Sequence, residues 1–162
     1  MERKHEPEEF DEIATLCYVK DGDKVLLIEQ KRGIGEGNIN GPGGKVEEQD
    51  DSLKEAAIRE VEEEVGVTPE NVEKVGEVDF IFGDNPFHQV HIYITDEYSG
   101  KPEETEEAVP EWYKTGEIPY SQMWPDDRYW MPLMFEGIDF EAVFQFGSGG
   151  ENIQDWMISK LE

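Results

Sequence analysis

Gly44-Lys45-Val46-Glu47-Glu48-Gln49-Asp50-Asp51-Ser52-Leu53-Lys54-Glu55-Ala56-Ala57-Ile58-Arg59-Glu60-Val61-Glu62-Glu63-Glu64-Val65-Gly66-Val67 reads as a glycine loop, a helix and a stop. Ser52 followed three residues later by Glu55 opens a capping box, and Gly66 sits where a left-handed residue ends a helix. Leu53 to Val65 contains neither proline nor glycine. At roughly 100° per residue, Leu53, Ala56, Ala57, Val61 and Val65 share one apolar arc. Glu60 and Glu64 fall inside that arc, and Glu63 at its edge. A solvated acidic face would lie on the opposite side. Carboxylates turned toward the rest of a fold carry a large desolvation cost unless cations or donors meet them. Arg59, one turn before Glu63, can orient a carboxylate but cannot neutralise three. A hard divalent cation such as Mg2+ can, because it takes oxygen ligands and tolerates bound water and phosphate.

Upstream, Arg32 to Gly44 carries glycines at 33, 35, 37, 41 and 43 before Gly44 itself, with Pro42 between them. Such glycines let backbone approach a phosphate or a base closely, although a plain flexible loop would show the same count. Glu12 to Lys20 and Lys24 to Lys31 read as strands around the hairpin turn Asp21-Gly22-Asp23. Beyond the helix, Lys74 to Phe82 and Val90 to Thr95 read as strands separated by a Gly83-Asp84-Asn85-Pro86 turn. Asp96 to Ala108 reads as an exposed acidic loop, and Glu111-Trp112-Tyr113 as a short strand. A second helix is expected from near Pro125 within Ser121 to Phe135, since proline and acids suit a first turn. Phe140 to Phe146 and Ile153 to Leu161 flank Gly147-Ser148-Gly149-Gly150 as a closing hairpin. Strands on both sides of one helix, with a second helix late, predict a mixed sheet between helices.

The 162 residues suit one domain with a real core. Residues 1–11 are charged and lack an apolar run, and no later stretch approaches the ~20 apolar residues of a membrane span. A soluble, cytoplasmic protein is expected, without a membrane partner. Cys17 is the sole cysteine and reads as a core residue. A formal net charge of -26, from 14 basic and 40 acidic residues, opposes binding to a nucleic-acid backbone. It equally opposes anionic nucleotides, unless bound metal neutralises the site or the solvent is salty enough to screen it. Acidity of this degree is what halophilic cytoplasmic proteins look like, though 10 lysines against 4 arginines add nothing to that reading.

The run Arg59-Glu60-Val61-Glu62-Glu63-Glu64-Val65-Gly66-Val67 resembles the second half of the motif of the Nudix hydrolases, which cleave nucleoside diphosphates linked to another group. The first half departs. Gly44 stands one residue too far from Arg59, and the motif's glutamate is replaced by Asp51, or by Asp50 if the extra residue follows it. The resemblance implies an α/β/α sandwich with a mixed central sheet, a single Nudix domain over 1–162, and residues 1–11 as an acidic extension. It implies Mg2+ or Mn2+ held by Gly44, Glu60, Glu63, Glu64 and Glu107. Catalysis would fall to Arg59, Glu60, Glu63 and Glu64, with Glu64 or Glu107 as the base that activates water.

Outside that motif, Lys31-Arg32-Gly33 through Asn40-Gly41, and Met123-Trp124-Pro125-Asp126-Asp127 with Tyr129-Trp130, resemble the branch that sanitises the nucleotide pool of 8-oxo-dGTP and 2-oxo-dATP. That implies a small nucleotide substrate touched by Thr15, Gln30, Lys31, Asn40, Gly43, Gly44, Phe80, Trp124, Asp126, Asp127 and Trp130. Gln30 stands where that branch has a lysine. A flat purine can stack on Trp124 and Phe80, worth about 1–3 kcal/mol per base. Two adjacent acids split their pKa values, so Asp126 and Asp127 can donate from one and accept on the other. Asn40 can meet another base edge through its amide. Other Nudix substrates (an unmodified dNTP, a nucleotide sugar, a dinucleoside polyphosphate) and a non-catalytic nucleotide sensor are the alternatives. A monomer is expected. If the acidity is a salt adaptation, thermal melts should rise steeply between low salt and about 1 M KCl, where the Debye length is about 3 Å. Full folding and activity in low salt would remove that reading.

Overall fold

A computed structural model describes residues 3–33, 36–150 and 152–161. Gly35, counted in the glycine run above, lies outside the described residues. Helix α1 spans Leu53–Val65, with the bounds that the sequence predicts. The Ser52 hydroxyl accepts the Glu55 N–H at 3.1 Å, and Gly66 closes the helix at φ +76°, a backbone that favours glycine.

Strands β1 (Glu12–Asp21) and β2 (Lys24–Gln30) form the expected hairpin. The short strands β3 (Ile39–Asn40) and β4 (Gly43–Lys45) carry the glycine loop back onto them, β3 against β2 and β4 against β1. Strand β6 (Glu73–Phe82) pairs antiparallel with β7 (Asn85–Thr95), and β7 runs parallel to β1. Strand β9 (Ala108–Lys114) joins the free side of β2. After helix α2 (Asp127–Phe135), strand β10 (Phe140–Phe146) runs parallel to β6, and β11 (Ile153–Lys160) closes the edge as the expected hairpin. The resulting nine-stranded sheet is mixed.

Alternation along the strands sends side chains to two cores. Cys17, Val19, Leu26 and Ile28 meet Ala57, Val61 and Val65 of α1. Tyr18, Leu27, Val78 and Ile92 meet Trp130, Met131 and Met134 of α2. The sheet thus lies between helices, an α/β/α sandwich. Cys17 is fully buried, and desolvation pushes its thiol up to about 12.

Two expectations need correction. Asp96 to Ala108 is not loop throughout: β8 (Glu97–Ser99) pairs with β5 (Thr68–Glu70), and Ala108 is buried at the start of β9. The Gly83–Pro86 turn is shorter than predicted, because Asn85 and Pro86 already pair with Phe82 and Ile81. Residues 3–10 lie against the sheet on the α1 side. Phe10 packs with Ile81 and Val143, and the Arg3 guanidinium bonds Asp79 at 2.7 and 2.9 Å and Glu77 at 2.8 Å while also pairing with Glu141. No helix among the described residues is long and apolar enough to cross a membrane.

Candidate active site

Helix α1 buries its last turn, which carries Glu64 inward: that residue is 7% exposed. Its Oε1 accepts the Gly43 N–H at 2.7 Å. Burial pushes the Glu64 carboxyl up to about 8, the Gly43 bond opposes the shift, and the charges of Glu60, Glu107 and Glu63 add to it. Glu60 is also raised by burial, with Arg59 pulling the other way. Gly44 is packed against that carboxylate, since a Cβ there would lie 2.5 Å from Glu60 Oε2. Any larger residue would displace the acid.

Arg59 is the hub of this cluster. Its Nε and Nη2 clamp Asp50 at 2.7 and 2.8 Å, and its Nη1 lies 3.0 Å from both Glu60 and Glu63. The clamp holds the Asp50 carboxyl at about 2. Among the described residues, no three His, Cys, Asp or Glu side chains stand gathered as a metal cage, for Glu60 and Glu63 are drawn to Arg59. The acidic loop is tied to the same helix end. The Thr105 hydroxyl donates to the Glu64 carbonyl at 2.7 Å, and the Glu103 N–H donates to the Val65 carbonyl at 2.9 Å. These ties bring Glu107 near enough for its charge to raise Glu60 and Glu64.

A cleft of about 520 Å³ runs from Glu64, Gly43 and Gly44 to Trp124, Asp126 and Asp127. Asp126 and Asp127 are buried, and they do not cap α2 as helix-start acids usually would. Trp130 donates its indole N–H to Asp126 Oδ2 at 2.8 Å, which leaves Asp126 Oδ1 buried without a partner. The buried Thr15 hydroxyl also lacks one. Buried orphans of this kind are rare, and here they line the cleft. Burial lifts both aspartates above the ordinary carboxylate range, and the Asp126 charge lifts Asp127 further. Phe80, at the side of the cleft, stacks on Phe144 and Phe146.

A family description, the NUDIX domain, matches residues 11–134. The chain belongs to the Nudix hydrolase family. It is 39% identical over 151 residues to a Danio rerio protein named oxidized purine nucleoside triphosphate hydrolase, a match covering 93% of this chain and 96% of that one. A Mus musculus protein of the same name is 41% identical over 135 residues, covering 83% and 86%. The crystal structure of a MutT protein from Bacillus halodurans is similar at TM-score 0.79 and 25% identity, covering 91% of this chain and 97% of that one.

Within the Nudix motif of this chain, Asp50 and not Asp51 meets Arg59; Asp51 is exposed. The cleft gathers Thr15, Gln30, Asn40, Gly43, Gly44, Glu64, Phe80, Trp124, Asp126, Asp127 and Trp130. Trp130 is only 1% exposed, and it donates to Asp126 beside it in the lining. Arg59, Glu60, Glu63 and Glu107 sit around the helix end beyond the cleft lining, and Lys31 is bonded to Glu104 at 2.7 Å. Sequence reasoning missed His88, Phe82 and Phe87, and the Gly149-Gly150 turn, all of which line this Nudix cleft. Carrying the alternation of Val90 and Ile92 back by two would have placed His88 on the same face, opposite Phe80.

The raised aspartates fix a stability trend. The folded protein keeps their protons at pH values where the unfolded chain has lost them, so stability falls as pH rises through the raised range. Asp127→Asn does not titrate. It should raise Tm over wild type at about pH 8 and less at about pH 5, and an equal change at both would overturn the burial account.

Proposed function

We propose that this Nudix hydrolase converts oxidised purine nucleoside triphosphates, such as 8-oxo-dGTP and 2-oxo-dATP, to the monophosphate and pyrophosphate. The observation that carries this reading is the continuity of one cleft between a buried aspartate pair and the inward carboxylate of α1. A purine slides between Trp124 and Phe80, while Asp126, Asp127, Asn40 and Thr15 meet its polar edges. The named relatives in Danio rerio and Mus musculus point the same way.

Glu60, Glu63, Glu64, Glu107 and the Gly44 main chain would hold a divalent cation, Mg2+ or Mn2+. The residues present fit that demand in their chemistry: the donors are oxygen, burial and the charges of Glu60, Glu107 and Glu63 raise Glu64, and Gly44 leaves no Cβ between backbone and Glu60, while Glu60 and Glu63 would have to turn from Arg59 to share the ion. When bound, such a cation supplies positive charge that screens the polyphosphate. Arg59 orients Glu60 and Glu63 while Asp50 anchors the guanidinium. Gly43 occupies Glu64 Oε1 and leaves Oε2 to take the proton of the attacking water. Lys31 and Arg32, paired with Glu104 and Glu107 of the acidic loop, would meet phosphate if those pairs opened. The work is done at the cytoplasmic nucleotide pool by a single Nudix domain.

Comparing kcat/KM for 8-oxo-dGTP, 2-oxo-dATP and dGTP tests the substrate class: the oxidised pair should lead, and equal values for all three would remove the sanitising role. Glu64→Gln, with its fold checked by circular dichroism, should lower kcat by about a hundredfold or more. Unchanged turnover would remove Glu64 from the chemistry.

A further inference from the structure

The cleft that is to hold a polyanion is lined by acids. Among the described residues along it, Glu64, Asp126 and Asp127 are carboxyls, and His88 is the one side chain able to carry positive charge. A β-bulge puts it there. Phe80 pairs with His88 but Ile81 with Pro86, so Phe87 is an extra residue in β7 and the alternation of faces fails at that point. Phe87 and His88 therefore share a face although they are neighbours in sequence. Their rings stack at 3.8 Å and 17°, and Phe87 stacks in turn on Phe82 at 4.2 Å and 14°. All three rings line the cleft.

The imidazole is braced from β1. Glu12 stands opposite His88 in the parallel register, and its Oε2 lies 3.2 Å from His88 Nε2. A carboxylate only accepts, so the neutral ring keeps its proton on Nε2, and Nδ1 is the atom that gains or loses one. Lys45 also reaches Glu12, at 3.8 Å, and the neighbouring Asp11 takes the Asn85 amide at 2.9 Å. From β6 the neighbours are Phe80 and Phe82, and the Gly149-Gly150 turn against Phe82 adds no charge. Burial pulls the imidazole below its ordinary range, while the charges of Glu12 and Asp11 pull the other way. The free protein thus holds a mostly neutral ring near pH 7, which gains a proton when negative charge arrives beside it.

We propose, on the reading of this cleft as the nucleotide site, that His88 takes up a solvent proton as the nucleotide binds and that the imidazolium, held between Glu12 and Phe87, donates to an oxygen of the ligand. That oxygen belongs to a phosphate or to a carbonyl of the base, and both offer the lone pair that a cationic donor seeks. The proton supplies, at the moment of binding, the charge that the resting lining lacks.

The test follows the His88 ring by NMR across pH, with neither metal nor turnover. The chain has 3 histidines, and the resonance absent from His88→Gln identifies the one concerned. Saturating 8-oxo-dGMP should raise its titration midpoint by about one pH unit. By linkage, wild type should then bind that nucleotide about tenfold more tightly than His88→Gln at about pH 5.5, with little difference at about pH 8. Glu12→Gln should lower the midpoint of the free protein, and an unmoved one would overturn the brace. The nucleoside 8-oxo-deoxyguanosine separates the two oxygens: a midpoint raised by the nucleotide alone assigns the phosphate, and one raised by both assigns the base. Nucleotide that binds while the midpoint stays or falls overturns the proposal. So does a His88→Gln that loses the same factor at both pH values, as loss of a merely structural residue would. If neither 8-oxo-dGMP nor dGMP binds at any pH, the nucleotide reading of the cleft fails and the proposal with it.

Discussion

The guanidinium of Arg59 is the fixed point from which the helix end and its loop take their positions. Two of its nitrogens clamp Asp50, a third reaches Glu60 and Glu63, and Nη2 also meets the Lys45 carbonyl at 3.3 Å. One planar cation therefore ties the segment after Gly44 to the exposed side of α1. Its charge does not extend to Glu64, which is buried a turn further on with a single backbone donor. A carboxylate in that position is destabilising to the fold by the usual account of buried charge. Local rules broken at one place, with ordinary capping and packing all around it, are what the proposed catalytic role of Glu64 predicts.

The sheet separates two polar systems that would otherwise interfere. Strand β6 sends Phe80 toward the cleft and Asp79 to the reverse side, where Arg3 and Gln89 satisfy it. His91 lies against Glu77 on that same reverse side. The opening segment of the chain thus supports the strand whose other face supplies a wall of the cleft. On the cleft side the aspartate pair meets Trp130 instead of a cation, so its carboxyls stay raised. On the reverse side His91, Lys74 and Arg3 hold Glu77 well below the usual carboxylate range.

The sequence made α1 legible down to its caps because every signal there is local: the serine, the apolar arc and the terminal glycine lie within one stretch. The hairpins around Gly22 and Gly147 to Gly150 were legible for the same reason. The β5–β8 ladder was not, since it joins three-residue segments far apart in the chain, one of them within an acidic run that looks solvated. Asp50 could not be told from Asp51 by counting, because the choice depends on where Arg59 points after the loop has folded. Trp124, Asp126 and Asp127 were found through family likeness; residue chemistry alone would read them as an ordinary helix start. His88 was hidden by the turn residues just before it, which made the strand look shorter than it is.

Cys17 lies at the centre of the sheet with no solvent contact, and its thiol is held in the protonated form far beyond neutral pH. Peroxide and disulfide partners react with thiolate at a surface, so this sulfur offers them neither the charge nor the access. A protein whose proposed nucleotides are themselves damaged by oxidants keeps its lone sulfhydryl sealed away. Conditions that generate its substrates would leave that sulfur reduced.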